Sequence, residues 1–477
     1  MKILHKPLWQ IVLLILGIIA GLVYGIHGII LIFTTLAGVE SPWYTFTIID
    51  PAIIAVLLLL IYYVADRRFL RVTPSISFAH EFDEGPWLHW REDPKTTITI
   101  NWFTKSETPT RVAFGKSENG MEVIEEKPGK IHHLTIRNLE PSTRYCYRVL
   151  DFEKDGSLHE FKTAPSAPVP VKFIVLGDTQ NGGGMGTDKW GYKALMETIK
   201  KEDFDLFLIT GDATDQGNDL KSWHQFLGLS RLVAANIPMH IAVGNHDTGT
   251  RYMMDKGAKN YPDEGANFDY LLGYNYHRPE DEDEITPFQG RYFSFFYGCC
   301  YFMILDSQNS MMAEPNNPQW EYIEEQLSLV PDEYWKIVIV HRDLVRVRKN
   351  AEGGYYYGYD KFAKYFLPIF DRYGVHAVFQ GHAHNLTVMT WKYNSSVPFF
   401  DPNEGSREHP MLLFTTGGAG KELRKNEQLK GQDIDLEGFH VQENSTHYLI
   451  VDAKPTRIIA SAIYPTKTSF YETRLER

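Results

Sequence analysis

The pattern of hydrophobic and polar positions shows two long apolar runs in the first part of the chain. Residues 8–36 contain no Asp, Glu, Lys or Arg, and a second run over 46–65 carries a single acid, Asp50, near one end. A helix needs roughly 20 residues to cross a bilayer, whereas the apolar part of a signal peptide has about 7–15. Residues 1–71 are therefore predicted to form a hairpin of two transmembrane helices.

The charges beside these runs predict how the hairpin is oriented. The short linker between the runs contains Glu40 and no Lys or Arg, whereas basic residues flank the outer ends, at Lys2, Lys6, Arg67, Arg68 and Arg71. Basic loops remain on the cytoplasmic side of a membrane. We expect a two-span membrane protein with the large remainder of the chain in the cytoplasm.

Short alternating segments follow from about residue 73 to 165 and predict a small all-β domain. They are TTITINWFT (96–104), TRVAFG (110–115), KIHHLTIRNL (130–139) and YCYRVL (145–150). His132 and His133 are neighbours on one predicted strand, so their side chains face opposite ways and cannot form a single site. We expect this domain to space and support the one that follows it.

From Val171 to about Pro465 the pattern changes to apolar strands that alternate with amphipathic helices, which predicts a layered α/β domain. The predicted strands cover 171–178, 205–212, 239–247, 300–307, 335–342, 376–384 and 411–418, and the predicted helices cover about 188–202, 219–235, 317–329 and 359–373.

Composition narrows the class of protein. The net charge of the 477 residues is −12, although the first 71 residues carry a small positive excess, so the remainder is strongly acidic. An acidic surface repels the phosphate backbone, which argues against nucleic-acid binding. The three cysteines, two of them adjacent, do not form a disulfide framework.

Polar residues end the predicted strands in a repeated way. Glycine precedes Asp178, Asp212, Asn245 and His382, and His341 ends a strand without one. Ligands collect at the carboxyl ends of strands in such sheets, and glycine permits a close backbone approach. Any one of these residues alone is equally compatible with a turn or helix cap, but the ordered set indicates one site.

The order GD, GDATDQG (211–217), GNHD (244–247), a strand-ending His and GHAH (381–384) resembles the calcineurin-like metallophosphoesterases. The preceding β-domain and RYFSFFYG (291–298) resemble the purple acid phosphatase branch, and residues 139–147 resemble a fibronectin type III-like signature. The resemblance implies a four-layer α/β/β/α sandwich at 171–465 after a fibronectin-like sandwich at 73–165. It also implies a corner hydrogen bond for Tyr145 and a core position for Trp102.

The same resemblance implies a centre of two metal ions, of Mn, Fe or Zn. One ion would be held by Asp178, Asp212 and His384, and the other by Asp212, Asn245, His341 and His382. A water bridging the ions would attack a phosphate mono- or diester. His246 would protonate the leaving oxygen or stabilise the transition state, and Asp247 would orient the His246 ring.

Two positions depart from the family pattern. Many relatives have a histidine where Gln180 stands, and purple acid phosphatases have a tyrosine where Asp215 stands. The sequence therefore predicts a centre without the tyrosinate-to-iron(III) colour. Gln180 and Asp215 are candidates either for metal binding or for supporting a ligand. Arg342 is a candidate for binding substrate phosphate, with an ion pair to a carboxylate as the alternative.

Together these features predict a membrane-anchored, metal-dependent phosphoesterase. One alternative is a binding or adhesion-type membrane protein that retains a degenerate phosphatase scaffold. Another is an enzyme whose substrate is a lipid phosphate or pyrophosphate, which a membrane anchor would suit. The intact set of Asp212, Asn245, His341 and His382 favours an enzyme.

Overall fold

The computed structural model describes residues 83–180, 191–248, 266–274, 290–308, 314–403, 410–420 and 434–477. Within these ranges no helix is both long and apolar enough to cross a membrane. The predicted hairpin over 1–71 lies outside the described residues, as do the glycine-rich run 181–186 and the acidic stretch 280–284.

Five antiparallel strands form the β-domain: β1 (Glu84–His89), β2 (Ile98–Gly115), β3 (Glu122–Ile136), β4 (Arg144–Val149) and β5 (His159–Lys162). Two separate strands were predicted at 96–104 and 110–115, but β2 runs through both. Its first part pairs with β1 and its last part with β4, while β3 follows it past an irregular register between Phe103 and Thr110. This pairing holds the polar residues 105–108 in the strand, between the two segments that were predicted separately.

The core of the β-domain contains the two aromatic residues that the sequence singled out. The Tyr145 hydroxyl accepts a hydrogen bond from the Glu140 N–H at 2.9 Å, so the corner bond is present. Trp102 is buried and stacks on His132 with ring centroids 4.5 Å apart. His132 is held by Thr110, whose Oγ1 lies 2.7 Å from its Nδ1, which gives this histidine a structural role.

The described part of the larger domain contains fifteen further strands. They are β6 (Val171–Leu176), β7 (Leu206–Ile209), β8 (Met239–Ile241), β9 (Phe293–Tyr297), β10 (Cys300–Ile304), β11 (Trp335–Val340), β12 (Val345–Lys349), β13 (Tyr355–Tyr359), β14 (Ala377–Gln380), β15 (Leu386–Trp391), β16 (Met411–Thr416), β17 (Phe439–Glu443), β18 (Tyr448–Lys454), β19 (Arg457–Ile463) and β20 (Ser469–Glu476). One sheet has the order β20-β19-β18-β6-β7-β8 and a second has the order β17-β15-β16-β14-β11-β10-β9, while β12 and β13 form a separate hairpin. The six-stranded sheet continues past the predicted domain end at about 465, since β20 pairs with β19 up to Glu476.

The two sheets pack face to face through alternate side chains of their buried strands. Phe302 of β10 contacts Phe173 of β6 with ring centroids 5.0 Å apart, and Phe379 of β14 contacts the same ring at 6.1 Å. Side chains one position along the strand, such as Met303 and Val338, belong to a second core on the opposite face. This is the period-two alternation of a strand that is buried on both faces.

Five helices accompany the sheets within the residues that the structure describes: α1 (Tyr192–Ile199), α2 (Leu220–Ala234), α3 (Ala266–Leu272), α4 (Pro318–Ser328) and α5 (Ala363–Arg372). The second core joins α4 and α5 to the seven-stranded sheet through Ile323, Leu327 and Phe366. The helices α1 and α2 share a core with the six-stranded sheet and are linked by the Tyr192 hydroxyl, 2.7 Å from Ser230 Oγ. Side chains cap two of the helices, since Asp219 accepts from Lys221 N–H and Asn317 from Trp320 N–H.

The β-domain packs against α2 of the larger domain through buried polar contacts. The Tyr147 hydroxyl donates to the carbonyl of Ala235 at 2.6 Å, and Tyr147 is fully buried. The buried carboxylate of Glu84 lies 2.8 Å from Lys154 Nζ and 2.7 Å from His224 Nδ1 of α2. These contacts fit the expectation that the β-domain supports the domain after it.

Candidate metal centre

The predicted site residues follow the ends of strands from both sheets. Asp178 and Asp212 lie just beyond β6 and β7, and His341 and His382 lie just beyond β11 and β14. Asp178, Asp212 and His382 have positive φ angles of 55°, 50° and 69°. That backbone conformation is costly for residues with a side chain, and it is found most often at functional sites. The three turns are therefore candidates for a functional site.

Glycine is required at two positions beside the acidic side chains. A Cβ on Gly381 would lie 2.7 Å from Asp178 Oδ2, and a Cβ on Gly244 would collide with the backbone nitrogen and the carboxylate of Asp212. Any larger residue would therefore displace a carboxylate that the site needs. This is the close backbone approach that the glycines in the sequence predicted.

One group of ligand atoms forms around Asp212. Nε2 of His341 lies 3.0 Å from Asn245 Oδ1 and 3.3 Å from Asp212 Oδ1, and Nδ1 of His382 lies 2.8 Å from the same Asn245 oxygen. Ligand atoms about 2.1 Å from a tetrahedral ion stand about 3.4 Å from one another. Asp212, His341 and His382 thus bring their donor atoms close enough together to hold one cation.

The tautomer of His341 suits metal binding. Its Nδ1 lies 2.9 Å from the carbonyl oxygen of Thr210, which can only accept a hydrogen bond. In the neutral ring the proton therefore sits on Nδ1, which leaves the Nε2 lone pair available to a cation bound beside Asp212. A backbone carbonyl commonly fixes metal-binding histidines in this way.

Charge within the group keeps Asp212 ionised. Burial alone would raise the pKa of Asp212, but the adjacent His341 and His246 outweigh it and hold the pKa well below its usual range. Conversely, burial alone would lower the pKa of His341, but the charges of Asp212 and Asp178 outweigh it and raise the pKa to about 9. A buried carboxylate that attracts a positive charge this strongly is suited to a cation.

A second group forms around Asp178. Its Oδ2 accepts a hydrogen bond from the His382 N–H at 2.8 Å, and its Oδ1 lies 3.4 Å from His384 Nε2. Asp178 Oδ1, His384 Nδ1 and both amide atoms of Gln180 are buried and have no hydrogen-bond partner among the described residues. Buried polar atoms rarely lack a partner, so this set of donor atoms fits the binding of a cation.

The surroundings of His246 differ from the sequence-based expectation. Asp247 was predicted to orient its ring, but the Asp247 carboxylate instead accepts from the backbone N–H groups of Thr214 and Gly244, at 3.0 and 2.8 Å. The ring is held by the carbonyl of Asp215, 2.9 Å from Nδ1. Its other nitrogen, Nε2, lies 4.0 Å from Asp212 Oδ2, at the edge of the metal-binding group.

Asp215 and Arg342 both lie beside the centre. The Asp215 carboxylate is 3.9 Å from His246 Nδ1. The Arg342 guanidinium lies beside His382, with Nη1 3.2 Å from Nε2 of that ring. The Arg342 N–H donates to Ser307 Oγ at 2.9 Å, which fixes the backbone after His341.

Sequence reasoning missed Thr210 and Ser307, which hold His341 and Arg342. Thr210 acts through its backbone carbonyl, which no residue type reveals. Ser307 ends a predicted strand, as the other site residues do, and that position was its only signal.

Comparison with known proteins places both domains in families. Residues 171–386 match the calcineurin-like phosphoesterases, and residues 84–163 match the N-terminal domain of purple acid phosphatases. Purple acid phosphatase 21 of Arabidopsis thaliana is 27% identical over 295 residues, which are 60% of this chain and 61% of that protein. Purple acid phosphatase 22 of the same plant is 26% identical over 297 residues, which are 60% of this chain and 62% of that protein. The chain therefore spans about three fifths of the length of these two relatives.

A solved structure supports the same fold. The purple acid phosphatase PPD1 from yellow lupin seeds superimposes with a TM-score of 0.63 at 17% identity, covering 83% of this chain and 74% of that chain. Residues 171–386 thus form a calcineurin-like phosphoesterase domain, and residues 84–163 before it form a domain of the purple acid phosphatase N-terminal type.

Proposed function

We propose that the chain is a metal-dependent hydrolase of phosphate mono- or diesters, with two ions held at the strand ends of its catalytic domain. The observation that carries this proposal is the convergence of Asp212, Asn245, His341 and His382 on one another within hydrogen-bond distances. The Asp178 N–H donates to the Gly211 carbonyl at 3.0 Å, which places Asp212 beside the group formed by Asp178 and His384, so Asp212 would help to hold both ions. Imidazole and carboxylate together suit Mn, Fe or Zn.

The bound ions and His246 would have different roles in the reaction. Bound ions would supply Lewis acidity to the phosphoryl oxygens and lower the pKa of an attacking water. His246 holds one proton on Nδ1 against the Asp215 carbonyl, and its Nε2 faces the Asp212 side of the site. In its protonated form His246 would donate the Nε2 proton to the leaving oxygen, as a general acid.

Arg342 is suited to bind a substrate phosphate oxygen. If Nδ1 of His382 binds a cation, Nε2 of the neutral ring carries the proton and can no longer accept from Arg342. The guanidinium would then need another acceptor, and a phosphoryl group offers two or more oxygens.

The N-terminal segment would attach this catalytic domain to a membrane. The support is the length and apolar character of residues 8–36 and 46–65, with basic residues on the outer flanks of the hairpin. By the same charge rule, the catalytic domain would face the cytoplasm. A lipid phosphate or pyrophosphate is then a second candidate substrate, because the anchor would hold the site near the bilayer surface.

Activity of the full chain tests the proposed chemistry. The protein would be purified in detergent, loaded with Mn²⁺, Fe²⁺ or Zn²⁺, and assayed on chromogenic phosphate mono- and diesters and on a short-chain phosphatidic acid. Asp212→Asn and His341→Ala should lose at least 100-fold in kcat/KM, whereas His440→Ala, which changes a histidine on the exposed side of β17, should not. Equal rates for all four proteins with every metal would refute the proposal.

Membrane attachment needs an independent test. Reporters that are active on only one side of a membrane would be fused after Arg477 and within residues 37–45. We expect the C-terminal fusion to report the cytoplasm and the linker fusion the opposite side. A C-terminal fusion that fractionates without membranes would contradict the anchor and leave the catalytic proposal intact.

A further inference from the structure

Gln180 has a side chain that is almost completely buried, with 1% of its surface exposed. Neither its amide oxygen nor its amide nitrogen has a hydrogen-bond partner among the described residues. A buried amide without partners costs about 1–3 kcal/mol, so such a group calls for an explanation.

In two other buried glutamines of this chain, both amide atoms have hydrogen-bond partners. In Gln319, Oε1 accepts from the Asp306 N–H at 2.8 Å and Nε2 donates to the Asp306 carbonyl at 2.9 Å. In Gln380, Oε1 accepts from the Leu344 N–H at 2.9 Å and Nε2 lies 3.0 Å from Thr415 Oγ1. Gln180 is the exception among these three, and it is the one beside the metal-binding residues.

The backbone places Gln180 at the junction of the two groups. Its N–H donates to the carbonyl of Asp212 at 3.3 Å, and the preceding Thr179 donates through Oγ1 to the carbonyl of Ala213 at 2.9 Å. Residues 178–180 therefore run beside residues 211–213. Asp178 Oδ1 and His384 Nδ1, which are also buried without partners among the described residues, belong to the group around Asp178.

We propose that Gln180 is an amide-oxygen metal ligand that joins Asp178, Asp212 and His384 in holding the first ion, and that this group selects a divalent oxygen-preferring ion such as Mn²⁺ over iron(III). The inference rests on the proposed two-ion function. Three oxygen ligands and one imidazole make this site richer in oxygen than the site of Asp212, Asn245, His341 and His382, which suits Mn²⁺ better than Zn²⁺. Neither Gln180 nor Asp215 supplies the phenolate that would stabilise a trivalent ion.

Two consequences follow for the ions. The amide oxygen of Gln180 stands where many relatives have an imidazole, which is a stronger donor to these ions, so the first ion should be the weaker and more readily exchanged of the two. The second ion, which keeps its full set of ligands, should bind first. The centre would then fill in two steps that are separable by metal concentration.

Metal binding by the full chain in detergent tests this inference without reference to activity. Mn²⁺ would be added to the metal-free protein, with free ion measured by electron paramagnetic resonance and total bound ion by elemental analysis. The wild type should bind two Mn²⁺ in two steps. Gln180→Leu should keep the tighter step and weaken the other about 10–100-fold, the range seen when a supporting ligand interaction is removed.

Two further variants keep the outcome decisive if Gln180→Leu folds poorly. Gln180→Glu keeps the oxygen and adds charge, so the weaker step should tighten. Gln180→His should shift that step in favour of Zn²⁺ over Mn²⁺. Gln319→Leu serves as the matched control, because it removes an equally buried amide and should lower thermal stability without changing either Mn²⁺ step.

The inference would be overturned if Gln180→Leu bound both Mn²⁺ ions as tightly as the wild type does. It would also be overturned if the wild type bound only one ion. The proposed function fails differently. If the chain bound two Mn²⁺ in a way that depends on Gln180 but hydrolysed none of the phosphoesters, this inference would hold and the proposed enzymatic function would be wrong.

Discussion

The carbonyl oxygen of Asp215 lies 2.9 Å from Nδ1 of His246 and so fixes which nitrogen of that ring carries the proton. Since Nδ1 must donate to the carbonyl, Nε2 is the nitrogen that exchanges a proton with the site. It lies 4.0 Å from Asp212 Oδ2. This geometry supports the proposed role of His246 as the proton donor for the leaving group, with the Asp215 carbonyl holding the ring in place.

Replacing His246 by Gln should impair the reaction in a way that depends on the leaving group. A general acid contributes about 10²–10⁴-fold to the rate when the leaving oxygen needs a proton. We expect kcat to fall by that factor for an alkyl phosphate and by less than tenfold for p-nitrophenyl phosphate, whose leaving group departs unprotonated. Steady-state kinetics on both substrates, at matched metal content, check this. A loss of the same size on both would remove His246 from the role of proton donor.

Iron loading should give a protein without the purple colour of the named relatives. The colour comes from a tyrosinate bound to iron(III), and the corresponding position holds Asp215. We expect no visible charge-transfer band in the wild type after aerobic loading with iron, and a new band in Asp215→Tyr. Absorption spectra of both proteins at equal iron content provide the measurement. A band in the wild type would show that another tyrosine reaches the ion.

Much of the centre could be predicted because its residues end strands. Parallel strands such as β6, β7, β11 and β14 bring their carboxyl ends together, so the type and order of the residues at those ends are enough to indicate a shared site. Asp178, Asp212, His341, His382 and His384 do meet in one region of the fold, as their positions at strand ends require.

The remaining features depend on backbone groups, which leave no trace in the residue pattern. Asp247 looked like the partner of His246, its neighbour in sequence, but its two oxygens bind the N–H groups of Thr214 and Gly244. The extent of β2 was missed for a related reason. Its polar middle stays in the strand only because β3 pairs alongside it, which is a property of tertiary structure.

Removing one hydroxyl should weaken the contact between the two described domains. The Tyr147 hydroxyl is buried and donates to the Ala235 carbonyl at 2.6 Å. In Tyr147→Phe that carbonyl loses its partner in a dry interface, so the free energy of unfolding should fall by about 1–3 kcal/mol. Urea unfolding of the metal-free proteins measures the change. Activity of the metal-loaded variant at 25 °C should be unchanged, and a loss of activity without a loss of stability would contradict the structural role.

Acid should destabilise the fold through His240, a histidine that the folded chain buries. His240 of β8 is fully buried, neither ring nitrogen is hydrogen-bonded among the described residues, and burial lowers its pKa to about 3. The His240 ring is surrounded by the aromatic rings of Trp90, Tyr274, Phe293 and Phe295. The ring of His89 is also close, with its centroid 6.2 Å away, and the pKa of His89 is itself held low by burial and by the charge of Arg91.

The sign of the effect follows from proton binding. Between about pH 6.5 and 3 the unfolded chain protonates His240 while the folded chain does not, so stability falls as the pH drops through that window, by up to about 1.4 kcal/mol per pH unit. His240→Phe removes this one titration and leaves those of His89 and the metal ligands in place. We therefore expect the unfolding free energy of the variant, relative to the wild type, to rise steadily from pH 6.5 to pH 4 and to stay constant above pH 7. Urea unfolding at matched pH values measures that difference, and a difference independent of pH would show that His240 is already protonated, or solvated, in the folded chain.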